Sequence, residues 1–229
     1  MVFFIYMKKI KENIKFVRNE IKQHSNITEK DIRLVAVSKG QNYSAIKCAF
    51  DSGQRLFGEN YLQEALEKKE FLNDLEIEWH FIGPIQSNKC KLISQNFSWV
   101  QSVDRIKVAN KLNDSLKDQN SINVCIQINI SNEGSKSGLK INEIDSLAKH
   151  INTLDKLTLR GLMAIPTNTY DEEILRNEYN QLKGIYENLK KKYISVDTLS
   201  MGMSNDYLLA LENGANLVRI GSKIFGKRT

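Results

Sequence analysis

The sequence predicts a single (β/α)8 barrel, and three observations carry that expectation. Short apolar runs alternate with amphipathic stretches along the chain. The runs number eight. No proline- or glycine-rich linker divides the 229 residues, whose only prolines are Pro84 and Pro166. Repeated βα units imply parallel strands joined by right-handed crossovers, and eight of them at about this length suggest closure. An open doubly wound sheet is the alternative. It usually carries a glycine-rich first turn, and "SKGQNYS" after the first strand lacks G-x-G-x-x-G.

Each element has its own signal. Helical periodicity fills roughly 8–24. An apolar strand at 32–38 is followed by a helix near 43–52, a short strand at 55–58 and a helix over 61–72. "EWHFIG" (78–83) is a strand, 88–94 a short helix, "WVQSV" (99–103) a strand, and a helix runs on to about 117. "INVCIQINI" (122–130) is the clearest strand, with a helix over 141–151 and "LTLRGLMAI" (157–165) as the next strand. A long helix spans 171–193. Its Leu175, Tyr179, Leu182, Tyr186, Leu189 and Tyr193 recur at spacings of four and three, as one apolar face requires. "TLSMG" (198–202), a helix over 206–213 and "LVRIGS" (217–222) complete the series.

Composition narrows the class. Hydrophobic residues make up 41%, enough for a large core. The net charge of +6 is spread over helices that also carry Glu and Asp, which describes solvated faces. No basic groove interleaved with aromatics points to nucleic acid. Cys48, Cys90 and Cys125 are odd in number and far apart, forming neither a disulfide framework nor a metal pattern, and a reducing cytoplasm suits them. His24, His80 and His150 fall on different elements without ligand spacing; His24 and His150 read as helix-surface residues. No stretch is long enough to span a membrane. "MVFFIYMKK" has a short apolar run with no basic segment before it and no small-residue cleavage site after it, so it is not a signal peptide. Met7 is an alternative start, which would make residues 1–6 a disordered or artefactual extension of a single domain over 1–229.

In such barrels chemistry sits at the C-terminal strand ends. The first strand ends on Ser38-Lys39, the second on "FGEN" with Asn60, and the third carries His80. The fourth offers Ser102 and Asp104. In the fifth, Val124, Ile126, Ile128 and Ile130 alternate with Cys125, Gln127 and Asn129, so the second set faces into the barrel. Gln127 and Asn129 there need an internal network or a ligand. The last two strand ends supply Ser200, Gly202, Ser204, Gly221 and Ser222. Gly/Ser turns are commonly only turns, but at this place in a barrel they suit a phosphate. Arg219 shares a face with Gly221. It would either pair with a carboxylate such as Glu59 or donate to a ring nitrogen or an acid.

Together "LVAVSKG", "FGENYLQEALEK", "EWHFIGPIQSNK", "SVDR", "IQINISNEGSKSGL", "LRGLMAIP" and "LSMGMSNDYLLALENGANLVRIGSKIFG" resemble the pyridoxal 5'-phosphate homeostasis protein family, which is similar to the N-terminal barrel domain of alanine racemase. The resemblance runs from about 32 to 226. It implies pyridoxal 5'-phosphate held as an aldimine on Lys39, with phosphate contacts from the segment containing Ser200 and from Gly221 and Ser222. It sets Arg219 against the pyridine nitrogen and lines the pocket with Asn60, His80 and Met201. Lys136 matches a second lysine near the mouth. The chain departs from the family in "GQN" after Lys39, where "TKP"-like residues are common, and in Pro84, where "IGHLQSNK" has histidine.

A guanidinium stays protonated, so Arg219 would leave the ring nitrogen unprotonated and the ring a weak electron sink. Alanine racemases manage with this arrangement, using a second base from a C-terminal β domain. The sequence, ending at Thr229, is expected to lack that domain. The expectation is a cytoplasmic, monomeric carrier that buffers pyridoxal phosphate and supplies apo-enzymes, with no catalytic residues. The alternatives are a racemase or related enzyme of low activity, and a nucleic-acid or scaffold protein.

Overall fold

A computed structural model describes residues 2–28, 31–117, 120–131, 133–134 and 137–226. Helix α1 (Val2–Thr28) leads into β1 (Arg33–Val37), α2 (Tyr43–Asp51), β2 (Leu56–Glu59), α3 (Leu62–Phe71) and β3 (Glu78–Phe81). There follow α4 (Cys90–Asn96), β4 (Trp99–Val103), α5 (Ile106–Asp114), β5 (Ile122–Ile128), a 3-10 turn at Ile141–Glu143 and α6 (Ile144–Ile151). The chain continues through β6 (Leu157–Ala164), α7 (Glu172–Lys192), β7 (Thr198–Ser200), α8 (Tyr207–Glu212), β8 (Leu217–Ile220) and α9 (Ser222–Phe225). The eight strands close in sequence order, and the parallel β1–β8 pairing sets Val35 opposite Arg219. The expected barrel is therefore the fold, and the open sheet is excluded.

Strand ends differ from the sequence reading for local reasons. β7 stops at Ser200 and β8 at Ile220, because the following residues leave the ladder to form the turns of the upper face. β5 stops at Ile128, and Asn129 instead receives a bridge from the loop through Leu139. At the other end, α1 begins six residues before Lys8, and its Tyr6 and Met7 pack on the core.

The helices hold to the barrel by their apolar stripes. On α7, Leu175, Tyr179, Leu182, Tyr186 and Leu189 are buried. The Asp171 side chain caps α7 by accepting from the N–H groups of Glu173 and Ile174. Glu172 and Glu173 in the first turn and Lys190, Lys191 and Lys192 in the last complement its dipole.

Gly161 has φ +146°, and a Cβ there would lie 1.9 Å from the Thr198 carbonyl oxygen. The β5–β6 register shifts at this point, so glycine permits a bulge that no side chain could occupy.

Alternation then fills the interior. Trp99, Cys125 and Met163 form a small inner cluster apart from the helix-facing core. The Arg33 and Arg160 guanidiniums lie over the Trp99 ring at 4.5 and 5.0 Å, toward the N-terminal ends of the strands. No described helix is long and apolar enough to cross a membrane, and no metal-binding cluster occurs among the described residues.

Candidate functional site

Side chains on β1 alternate, so Val35, Val37 and Lys39 share the inner face and Ser38 the outer one. The same rule on β8 turns Arg219 and Gly221 inward. These residues meet at the C-terminal ends of the strands, around a cavity of about 910 Å³. Lys39, Asn60, Arg219, Gly221 and Ser222 all line it, beside Val37, Gln41, Ile82 and Ser204. Lys39 is half-buried, consistent with a side chain that leaves the strand end for the mouth.

The upper wall suits an anion. Ser204 Oγ accepts the Gly221 N–H at 3.2 Å and the Lys223 N–H at 3.3 Å, which leaves its own proton for a ligand. A Cβ on Gly221 would sit 3.3 Å from the Val37 carbonyl oxygen, a contact that Val37 would have to relieve by shifting. Asn60 Oδ1 is buried on the wall with no hydrogen-bond partner, an acceptor suited to a donor on a bound molecule.

The floor is a one-way hydrogen-bonded chain. Arg219 Nη1 donates to Ser200 Oγ at 2.6 Å, and Nη2 donates to the Ala164 carbonyl at 2.9 Å. The Ser200 hydroxyl donates to Gln101 Oε1 at 2.7 Å. The Gln101 amide then donates to His80 Nδ1 at 2.9 Å, so the His80 Nε2–H donates to Glu78 Oε1 at 2.8 Å. The His80 ring stacks on Trp99 at 5.2 Å. Burial pushes the imidazole below its ordinary value and keeps it neutral. The bond from His80 lowers the Glu78 carboxyl. Burial also brings Arg219 down to about 10, so it remains a guanidinium at neutral pH.

The structure thus separates the expected residues into levels. His80 and Ser200 lie beneath the cavity as supports for Arg219. Met201 is fully buried in the helix-facing core, and the methionine on the cavity wall is Met203. Arg219 takes Ser200 and Ala164, whereas Glu59 pairs with Lys68 at 2.8 Å. Gln127 donates to the Ser137 carbonyl at 2.9 Å, and Asn129 to that of Glu133 at 2.8 Å; both amides thus close the β5 loop. His150, expected at the surface, is half-buried and bonds to Asn110 Oδ1 at 2.5 Å. Lys136 lies outside the described residues.

The "GQN" departure has a local account. Gly40 takes φ +72°, Gln41 accepts the Tyr6 hydroxyl at 2.6 Å, and Asn42 caps α2 by accepting from Ala45 N–H at 2.9 Å. Sequence reasoning named Ser204 among the phosphate-suited turn residues and missed Gln41, Lys68 and Glu64. The Glu64/Lys68 spacing of four was the available signal for the last two.

The chain matches the sequence family described as Alanine racemase, N-terminal domain, over residues 5–229. It is 44% identical over 230 residues to the pyridoxal phosphate homeostasis protein of Vibrio alginolyticus, covering 97% of this chain and 99% of that one. Against the protein of the same name from Escherichia coli K12 the identity is 43% over 229 residues, with 97% and 98% covered. The backbone is similar to that of PipY from Synechococcus elongatus PCC7942. The TM-score is 0.86 for the structure without PLP and 0.82 for the one with PLP bound, at 30% identity, covering 95% of this chain and all of that one. Alanine racemase from Corynebacterium glutamicum, at 17% identity and TM-score 0.74, shares the fold, and the match covers 96% of this chain and 62% of that one. A family match spanning nearly every residue, joined to full-length relatives above 40% identity, means that the chain belongs to the pyridoxal phosphate homeostasis protein family, built on the alanine racemase N-terminal barrel.

Proposed function

We propose that the protein binds pyridoxal 5'-phosphate in this cavity as a carrier, storing the cofactor and passing it to apo-enzymes with little or no turnover of its own. The observation that carries the reading is the convergence of Lys39, Arg219 and the Ser204–Gly221–Ser222 turn on one cavity. When bound, pyridoxal 5'-phosphate supplies an aldehyde that condenses reversibly with a primary amine. Lys39 is the amine the strand end presents. Ser204, Gly221 and Ser222 would hold the phosphate. Arg219 would face the ring nitrogen, and Asn60 would accept from a ring substituent. His80, Ser200 and Gln101 keep the guanidinium aimed, and Met201 packs beneath the wall.

Little turnover follows from the chemistry of the walls. Arg219 stays charged and does not release its proton to a ring nitrogen. Tyr207 on the cavity wall donates its hydroxyl to Glu20, and burial holds it above the ordinary tyrosine range. Tyr170 is 95% exposed, and Asp206 is engaged by Tyr179 and the Met203 N–H. Tyr207 and Asp206 are thereby committed to other partners. A monomer working in the cytoplasm suits this role.

The test is the absorption spectrum of purified protein mixed with pyridoxal 5'-phosphate, followed by borohydride reduction and peptide mass analysis. A visible band and a reduced adduct on Lys39, both lost in Lys39→Ala, are expected, with transfer of cofactor to an added apo-enzyme. A band that survives Lys39→Ala would overturn the assignment of the amine. Steady amino-acid racemisation abolished by Lys39→Ala would overturn the carrier role in favour of an enzyme.

A further inference from the structure

Behind the strand end that carries Lys39 lies a second polar cluster that touches no cavity wall. Lys68, on α3, is buried, with 7% of its side chain exposed, and Glu59 at the end of β2 is wholly buried. The Lys68 ammonium has three protons and three acceptors. These are the Ser38 carbonyl at 2.7 Å, Glu59 Oε1 at 2.8 Å and Glu64 Oε1 at 2.5 Å. Glu59 Oε1 also accepts the Ser38 hydroxyl at 2.6 Å, and Glu64 Oε1 accepts the Gly40 N–H at 2.5 Å.

These bonds fall on either side of one residue. The Ser38 carbonyl belongs to the peptide plane that precedes the Lys39 Cα. The Gly40 N–H belongs to the plane that follows it. The first plane is gripped at the Ser38 carbonyl, which accepts from Lys68 and also from the Gln41 N–H at 3.0 Å. The second is gripped by Glu64. Two fixed planes define the φ and ψ between them, and hence the direction in which Lys39 leaves the main chain. Lys39 lies beyond the last ladder residue of β1, Val37, so the strand pairing alone does not set this direction. Burying an ammonium and a carboxylate rarely adds net stability over apolar residues of similar size, so a role in orientation explains what stability does not.

We infer that Lys68 and Glu64 are positioning residues for the Lys39 amine: they orient its attack on the cofactor aldehyde without touching the cofactor. The inference rests on the reading of Lys39 as that amine. In the step concerned, Lys39 Nζ bonds to the aldehyde carbon and the aldehyde oxygen leaves as water. A misplacement of about 1 Å in such a reaction can cost about 100-fold in rate.

The experiment compares wild type, Lys68→Met, Glu64→Ala, Glu64→Gln and Lys39→Ala as full-length proteins. Condensation is followed by stopped-flow absorbance with pyridoxal 5'-phosphate. Non-covalent binding is measured separately with pyridoxine 5'-phosphate, which has the phosphate and ring but no aldehyde. Lys68→Met and Glu64→Ala should slow condensation about ten- to 100-fold and leave pyridoxine 5'-phosphate affinity within about threefold. Glu64→Gln keeps an oxygen for the Gly40 N–H and should recover most of the rate. Glu64 is the more exposed partner, so its pair of variants decides the matter if Lys68→Met fails to fold. Unchanged condensation in Glu64→Ala, or an equal loss of both measurements, overturns the positioning role. A wild-type protein whose adduct survives Lys39→Ala would instead overturn the underlying reading, and the two failures are therefore distinct.

Discussion

Gly221 shows how much a single atom decides at the mouth. A methyl group there would press on Val37 at 3.3–3.4 Å, on the residue whose N–H donates to Ser204 Oγ. Gly221→Ala should therefore weaken pyridoxal 5'-phosphate binding by about 1–3 kcal/mol, the usual cost of overpacking, which is about five- to 150-fold in Kd. Titration by absorbance would measure it, and an unchanged Kd would mean the phosphate lies elsewhere. At this scale the sequence was legible where alternation along a strand settles the facing of a side chain, as for Arg219 and Cys125. It was not legible for depth. Ser200 and Ser204 look equivalent in "SMGMSND". Yet β7 ends at Ser200, and the chain must climb through Met201, Gly202 and Met203 before a hydroxyl reaches the mouth. The same climb separates buried Met201 from the wall residue Met203. Spacing along the chain carries no record of that rise once the ladder ends.

Among elements, α7 ties periodicity to the site. Its buried Tyr179 donates to Asp206 Oδ2 at 2.6 Å, while Asp206 Oδ1 accepts the Met203 N–H at 2.6 Å. The helix thus braces the loop that carries Ser204. Leu182→Ala, in the middle of the buried face, should cost about 2–5 kcal/mol of unfolding free energy by leaving a cavity. Asp171→Ala should cost about 1 kcal/mol through loss of the cap. Urea unfolding of both variants checks the order, and a larger loss in the cap variant would contradict it. The α7 stripe was readable because about six turns of one period leave little ambiguity. The short strands were placed but not bounded, since a run of three or four apolar residues fixes a strand's existence better than its ends.

For the molecule as a whole, pH acts through groups buried in the barrel. The His80 imidazole is pushed down from 6.5 by desolvation, so the folded protein binds fewer protons there than the unfolded chain. Its contribution to stability is whole above 6.5 and declines as pH falls below that value. Glu78, also lowered, adds a further loss as pH falls through its folded pKa. Glu59, raised by desolvation, works in the opposite sense and offsets part of the decline. The urea midpoint of the wild type should fall from pH 7 to about 5.5 more steeply than that of His80→Asn, which has no imidazole to titrate. Equal slopes would mean that His80 is not held neutral.

The Trp99 ring, flanked by the Arg33 and Arg160 guanidiniums, stoppers one end of this barrel. A molecule seated over Arg219 must then leave through the doorway by which it came. Loading and release share that doorway and cannot run at once.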